Sequence, residues 1–523
     1  MRTPAAGASG AGPSSPVMQP LSDFLARRGH WLAAPAGAAL ALAFAPAALV
    51  PLAFLCPAVL FLLWQGAAPR AAAWRGFLFT GGTFLAGTYW LYHSIHLVGG
   101  APVWIAAVLM LGLVAIMGSY TAALGWAVAR WGAPSGARRW LLLLPAGWVL
   151  IEWFRGWFLS GFPWLALGYT QLDTPLAGFA PLVGVYGTSL AVALVAGGLV
   201  ALLLGDRSAR IAAAVVIVAI GLAGAALGRV EWTEARGTRV SVALVQGAVP
   251  QSMKWEPGQR ERTLDLYADL TIPHLGAGII VWPEAALPAL ESDLRDYLES
   301  LHAMARAQGS DVVMGLLRRD PSTGSYHNAM VALGATEQWY DKRRLVPFGE
   351  FFPVPAAVRE WLRLMNLPYS DFEPGARDQV PLAAGGETLA PTICYEDAYA
   401  AEQLALARRA TLLVNVTNDA WFGDSTAPHQ HLDISRMRSL ETGRPMLRAT
   451  NDGVTALIAH DGALQGTLPQ FQPGVLTGAV EPRVGVTPYV RVGNAPVLAL
   501  VALGLAVGLW RPRRPGSPAV SSR

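Results

Sequence analysis

Three stretches in the second half of the 523-residue chain hold the residue types that acyl chemistry needs. Glu284 follows the apolar run GIIVWP, where a carboxylate is either a cap or a general base. Lys342 and Glu350 share the stretch WYDKRRLVPFGEFFP. A lysine beside tyrosine and arginines is usually a solvated face. Cys394 lies in TICYED at the end of another apolar run, with Tyr395 and Glu396 after it. A lone cysteine in an apolar strand is more often inert core than nucleophile. Outside the cytoplasm a free thiol risks oxidation, which favours a chemical role for one kept there. A base, an ammonium and a thiol together suit covalent acyl transfer.

Each of these residues stands at or just beyond the end of an expected strand. The pattern of β-rich runs predicts strands over 239–246, 278–284, 311–317, 328–334, 389–396, 411–418 and 454–460. Helices are expected over 287–309, which ends in a glycine stop, and over 429–443. Strands alternating with helices indicate a layered α/β fold. Several strands are apolar at consecutive positions, as when both faces are covered.

The first half has a different character. Hydrophobic residues make up 53% of the chain and charged residues 14%, against about a quarter charged in soluble proteins. The deficit falls in residues 31–228. Membrane spans of about 20 residues are expected near 31–48, 50–65, 77–95, 103–129, 140–155, 180–204, 211–228 and 494–510. Arginines occupy alternate connections: Arg27 and Arg28, then Arg70 and Arg75, then Arg130, Arg138 and Arg139, then Arg207 and Arg210, and finally Arg511, Arg513 and Arg514. The connections 46–51, 96–102 and 158–178 hold no Lys or Arg. Eight spans with this asymmetry put both termini in the cytoplasm and residues 230–490 outside it. The expected organisation is a disordered cytoplasmic tail (1–30), a polytopic α-helical membrane domain (31–229), a catalytic domain (230–490), an eighth span within 491–511 and a second tail (512–523). No basic run interleaves with aromatics, which argues against a nucleic-acid partner. Of the two cysteines, Cys56 lies in an apolar stretch and reads as a buried hydrophobe, so no disulfide is expected.

The order WPE, K-x7-E and ICYE resembles the nitrilase, or carbon–nitrogen hydrolase, superfamily over roughly 238–480. The resemblance implies an αββα sandwich with the base at Glu284, the lysine at Lys342 and the nucleophile at Cys394. Glu350 would support the lysine, and the Tyr395 N–H would help to hold the oxyanion. The whole layout, with EWFRGW, GFPWL, VQGAVPQSMKW, LVPFGEFFP and NVTNDAWFG, is similar to the apolipoprotein N-acyltransferase family. That resemblance implies a ping-pong acyl transfer without cofactor at the outer face of a bacterial inner membrane. The acyl donor would be a phospholipid, phosphatidylethanolamine first among them. The acceptor would be the α-amino group of a diacylglyceryl-cysteine at the start of an apolipoprotein. By the same analogy the protein would be a monomer.

Other residues have both a functional and a plain reading. Trp255 and Trp421 would wall the acyl pocket or fill the core, and Asn328 is a candidate substrate contact. Phe348, Phe351, Phe352, Trp361 and Met365 lie in an apolar stretch, 345–372, that reads as a lid or as a packed loop. Glu396 would orient the site or form an ion pair. Glu152 and Arg155 would line a lipid path or form a snorkelling pair in an aromatic belt. His429 and His431 lack a third ligand nearby in sequence, and no metal is expected. Competing readings are a membrane-tethered amidase, a transporter with an inactive accessory domain, and acyl transfer to another acceptor.

Overall fold

The structure, a computed structural model, describes residues 18–133, 135–256, 258–347, 349–351 and 372–510, with side chains from residue 28 onward. The first half forms helices Met18–Ala41, Pro51–Leu63, Pro69–Gly87, Val103–Trp131, Leu144–Arg155, Ala180–Leu204 and Arg207–Leu227, and Ala495–Leu509 returns to them from the far end of the chain. Among the described residues, three helical stretches are long and apolar enough to cross a membrane: Val103–Trp131, Pro175–Leu204 and Arg207–Leu227. Pro51–Leu63 and Ala495–Leu509 are apolar but shorter. Helix Arg207–Leu227 buries only Ala209, Ala213 and Gly224, and leaves Ile211, Val215, Val218 and Leu222 more than half exposed. An unpartnered apolar surface of that extent suits lipid rather than water.

Three expectations for this half need correction. Residues 18–30, expected within a disordered tail, are helical, and residues 1–17 lie outside the described residues. The third helix begins at Pro69, so Arg75 is inside it and buried rather than in a loop. Arg75 donates to the Leu63 carbonyl, and the equally buried Arg139 donates to Trp64 O at 3.0 Å and Ala133 O at 2.9 Å. The last carbonyls of a helix have no partner within it, and a cation is favourable there. Glu152 and Arg155 do not snorkel either. Glu152 accepts from Trp148 Nε1 at 2.8 Å and from Leu167 N at 2.9 Å, while Arg155 donates to Trp164 O and to Leu165 O at 2.9 Å. Both side chains fasten the loop after their own helix, because its backbone groups would otherwise be unpaired in an apolar interior.

The second half is built on two six-stranded sheets. One runs β13-β2-β3-β4-β5-β6 across Gly474–Val480, Val240–Gln246, Ile279–Val281, Asp311–Arg319, Tyr326–Leu333 and Glu337–Asp341. The other runs β12-β11-β10-β9-β8-β7 across Leu464–Thr467, Ala456–Ile458, Met446–Thr450, Leu412–Thr417, Glu387–Ile393 and Leu382–Ala384. Strands β2, β3 and β4 are parallel, as are β8, β9 and β10. A short ribbon of β1 (Glu234–Ala235) and β14 (Arg483–Val484) closes the neck of the domain. Val242, Val281 and Met330 of the first sheet share one core with Ile393, Val414 and Ala449 of the second. The outer face of the first sheet is covered by helices Gln259–Thr271 and Arg295–Ala307, through Tyr267, Leu298 and Leu301. Helix Ala427–Thr442 lies against the second sheet, and its Ile434, Met437 and Leu440 belong to the core of the helical half. This is the expected αββα layering, with one outer helix shared between the two halves.

Candidate active site

Parallel strands present their C-terminal ends on one edge, where ligands of α/β proteins commonly bind. Glu284 follows β3, Cys394 follows β8 and Asn418 follows β9. The turn that carries Glu284 rests on β4: Gly315 N donates to Pro283 O at 3.2 Å and Ala286 N to Gly315 O at 2.9 Å. Lys342 follows β6, with its N–H on Asn328 O at 2.8 Å. Its side chain is buried, and Nζ lies 3.0 Å from Glu284 Oε1 and 2.9 Å from Glu350 Oε1. Asn328 Nδ2 bridges the same two oxygens at 2.7 and 2.8 Å. Glu284 Oε2 accepts from Asn418 N at 2.9 Å. The sequence-predicted base, lysine and second carboxylate therefore form one buried cluster. Asn328, a candidate substrate contact, commits its Nδ2 to the two carboxylates, while its buried Oδ1 has no hydrogen-bond partner among the described residues.

Cys394 opens a short turn of helix with a φ of 52° and is 8% exposed. A non-glycine residue in that region is held by its surroundings. Asn415 Nδ2 and His431 Nε2 each stand 3.3 Å from its carbonyl. Burial pushes the thiol well above its ordinary range, Glu284 and Asp419 push it further, and Lys342 opposes them. The resting sulfur is a thiol, so it must lose its proton as it attacks. Burial alone would lower the Lys342 ammonium, but Glu284, Glu350 and Cys394 outweigh it and hold it well above the usual value. Lys342 therefore remains a cation through the alkaline range, able to stabilise negative charge but not to supply a proton.

Glu396 makes no ion pair among the described residues. Its Oε1 accepts from Arg343 N at 2.7 Å and its Oε2 from Ile393 N at 2.8 Å, so it joins the segment after Lys342 to the strand end before Cys394. Tyr395 has a role that sequence reasoning missed. Its hydroxyl donates to Gly161 O at 3.1 Å, and the Tyr399 hydroxyl, 2.7 Å away, reaches Ser160 O and Gly161 O at 3.1 Å. The nucleophile turn is thus fastened to a loop of the helical half. Nearby, Gln430 Oε1 accepts from Trp164 Nε1 at 2.7 Å, and Trp90 packs on Phe422 at 4.8 Å. Trp255 is 54% exposed and Trp421 is half-buried, so neither is core. Phe348, Phe352, Trp361 and Met365 lie outside the described residues.

Behind Cys394, the His431 imidazole stands 3.0 Å from Asp419 Oδ1 and 3.1 Å from Asp397 Oδ1. Arg448 completes this buried group at 3.0 Å from Asp419 Oδ2. Burial and Arg448 would lower the imidazolium, but the two aspartates prevail and raise it to about 9. Among the described residues no group of three or more His, Cys, Asp or Glu is arranged to hold a metal ion.

Comparison with known proteins agrees with both halves. Residues 36–198 match the apolipoprotein N-acyltransferase N-terminal domain, and residues 241–489 match the carbon–nitrogen hydrolase family. The chain is 42% identical to the apolipoprotein N-acyltransferase of Methylococcus capsulatus, over 93% of this chain and 97% of that one. It is 44% identical to that of Azotobacter vinelandii, over 93% and 95% respectively. Among solved structures it is similar to a carbon–nitrogen hydrolase superfamily protein from Xanthomonas campestris at 16% identity and a TM-score of 0.36, covering 51% of this chain and 97% of that one. With a 40%-level likeness along nearly its whole length and both domains in order, the chain belongs to the apolipoprotein N-acyltransferase family.

Proposed function

We propose that the protein transfers a fatty acyl chain from a phospholipid, by way of a thioester on Cys394, to the α-amino group of an N-terminal diacylglyceryl-cysteine. The observation that carries this reading is the fastening of the nucleophile turn to the helical half through Tyr395 and Tyr399. A thiol held against apolar helices suits an acyl donor that lies in a bilayer. Glu284 takes the Cys394 proton as Sγ attacks the ester carbonyl. Lys342 Nζ and the Tyr395 N–H stabilise the oxyanion. The C–O bond breaks, Glu284 returns the proton to the leaving alkoxide, and lysophospholipid departs. The amine of the second substrate then attacks the thioester, Glu284 takes a proton from it, and the C–S bond breaks to give the amide. Phosphatidylethanolamine is the donor we favour, with a monomeric enzyme. In this reading the chain crosses the bacterial inner membrane eight times, with residues 230–490 outside and both termini in the cytoplasm.

The test uses purified enzyme, phosphatidylethanolamine with a labelled acyl chain, and a diacylglyceryl-cysteine peptide. Equal yields of lysophospholipid and N-acylated peptide are expected. Labelled free fatty acid without acylated peptide would point to a tethered hydrolase and sink the proposal.

A further inference from the structure

The Cys394 carbonyl and the Tyr395 N–H belong to one peptide unit, and that unit is trans. A trans unit is planar, so its carbonyl and its N–H point in opposite directions. Tyr395 is the second residue of the short turn Cys394–Ala398, where an N–H has no partner inside the turn. Whatever fixes the Cys394 oxygen therefore aims the N–H that receives the oxyanion. Two side chains fix it, Asn415 through Nδ2 and His431 through Nε2, each at 3.3 Å.

The partners of His431 set its protonation. Its Nδ1 faces Asp419 Oδ1 at 3.0 Å, and its Nε2 faces Asp397 Oδ1 at 3.1 Å as well as the Cys394 carbonyl. Ser435 Oγ donates to the other Asp397 oxygen at 2.5 Å, and Arg448 Nη2 to the other Asp419 oxygen at 3.0 Å. A neutral imidazole has one bare nitrogen, which here would meet a carboxylate oxygen. Both ring nitrogens therefore carry protons. Arg448 also stands 3.7 Å from Asp397 Oδ2, so the two carboxylates are matched by two cations. Without the imidazolium charge, an uncompensated negative charge would lie buried behind the position of the oxyanion.

We propose that His431, as an imidazolium, positions and polarises the Cys394–Tyr395 peptide so that its N–H stabilises the oxyanion. A charged donor on the carbonyl draws electron density through the amide and strengthens the N–H at its other end. The inference rests on the acyl-transfer reading and deepens it. His431 touches neither substrate nor reacting atom, so it is a positioning residue rather than a catalytic one. The charged groups around it come from every element packed there. They are Asp397 in the turn after β8, Asp419 after β9, Arg448 on β10, and Arg438 on its own helix, which donates to Asp397 O at 3.3 Å. The helical half presents only the uncharged Trp164 ring, at 5.7 Å. Burial and Arg448 oppose the imidazolium, but Asp397 and Asp419 prevail and it persists up to about pH 9.

The test sets two reactions of Cys394 side by side in the full-length enzyme, both read by intact mass. Alkylation by iodoacetamide uses the same thiol and the same base but forms no oxyanion. Acylation by a phospholipid forms one. His431→Gln keeps a hydrogen-bond donor and loses the charge. It should alkylate within about threefold of wild type, yet acylate about tenfold or more slowly at saturating phosphatidylethanolamine. A loss as large in alkylation as in acylation, or no loss in acylation, would overturn the assignment. The pH profile uses phosphatidylglycerol, whose headgroup has no amine. The ratio of acylation to alkylation cancels the ionisation of the thiol. In wild type it should fall above about pH 9, as the imidazolium loses its proton, and in His431→Gln it should stay flat. If His431→Gln does not fold, the wild-type profile decides alone, and a flat ratio across about pH 9 overturns the assignment. A wild-type enzyme that is alkylated but forms no acyl-enzyme from either phospholipid overturns the acyl-transfer reading, and the assignment falls with it.

Discussion

Gly315 is the residue on which the position of the base rests. A Cβ at this place in β4 would lie 2.6 Å from Glu284 Cα, 2.8 Å from Pro283 O and 2.9 Å from Ala285 N. All three are backbone atoms, and none can rotate away. Ordinary contact begins at 3.4 Å, so Gly315→Ala must lift the Glu284 turn by about 0.8 Å. Carried through to the carboxylate, that shift takes Oε1 from 3.0 Å to about 3.8 Å from Lys342 Nζ, beyond a hydrogen bond. A misplacement of about 1 Å costs on the order of 10²-fold in rate, or about 2.7 kcal/mol of barrier. Overpacking should lower stability by about 1–3 kcal/mol. Gly474→Ala on β13 is the control, since its new Cβ meets nothing nearer than 3.8 Å. Single-turnover acylation by phosphatidylethanolamine, read by intact mass beside a melting curve, measures both. A folded Gly315→Ala enzyme that acylates within about threefold of wild type would refute the reasoning.

Glu350→Gln leaves the buried Lys342 with Glu284 alone and removes a charge-assisted hydrogen bond worth about 1.5–3 kcal/mol. Steady-state assays should find kcat down by about 10- to 100-fold with little change in donor KM, and an unchanged kcat would contradict this. Because burial and Glu284 hold Cys394 as a thiol, iodoacetamide inactivation of the free enzyme should be slow at neutral pH and climb through the alkaline range without a plateau near neutrality. A rate flat across that range would reveal a resting thiolate. His431 is raised from 6.5 to about 9, so its stabilisation is complete below about pH 6.5 and lost as pH rises towards 9. The melting temperature should fall through that window in wild type and stay flatter in His431→Asn, and equal slopes would refute the assignment. For topology, an impermeant maleimide should label Ser322→Cys in intact cells, and Ser208→Cys only after permeabilisation, both positions being exposed. The reverse pattern would invert the proposed orientation.

Sequence pattern reaches the site where chemistry and strand ends coincide. Glu284 and Cys394 were visible because each ends an apolar run, and those runs are the buried strands β3 and β8. Strand β10 was missed because Arg448 interrupts its apolar pattern, and only the fold reveals the Asp419 and Asn415 side chains that satisfy it. Helix Gln259–Thr271 was missed for a related reason: it buries Thr263, Tyr267 and Thr271, a face with little apolar periodicity. Asn328 bridges two carboxylates that lie 44 and 22 residues away, and Tyr395 meets a loop 234 residues away. Such contacts have no local signature. The helix starts in the first half drifted for a different cause. Arg75 and Arg139 read as loop charges, but each is buried against the carbonyl end of a helix.

The central claim is that Cys394 carries the acyl group between the two substrates. The direct measurement is the intact mass of the enzyme after mixing with phosphatidylethanolamine alone. The account predicts a gain of one fatty acyl group on Cys394 that hydroxylamine removes, that Cys394→Ala lacks, and that a diacylglyceryl-cysteine peptide discharges onto its own N-terminus. Acylated peptide formed at full rate by Cys394→Ala, or an acyl group found on another residue, would contradict it.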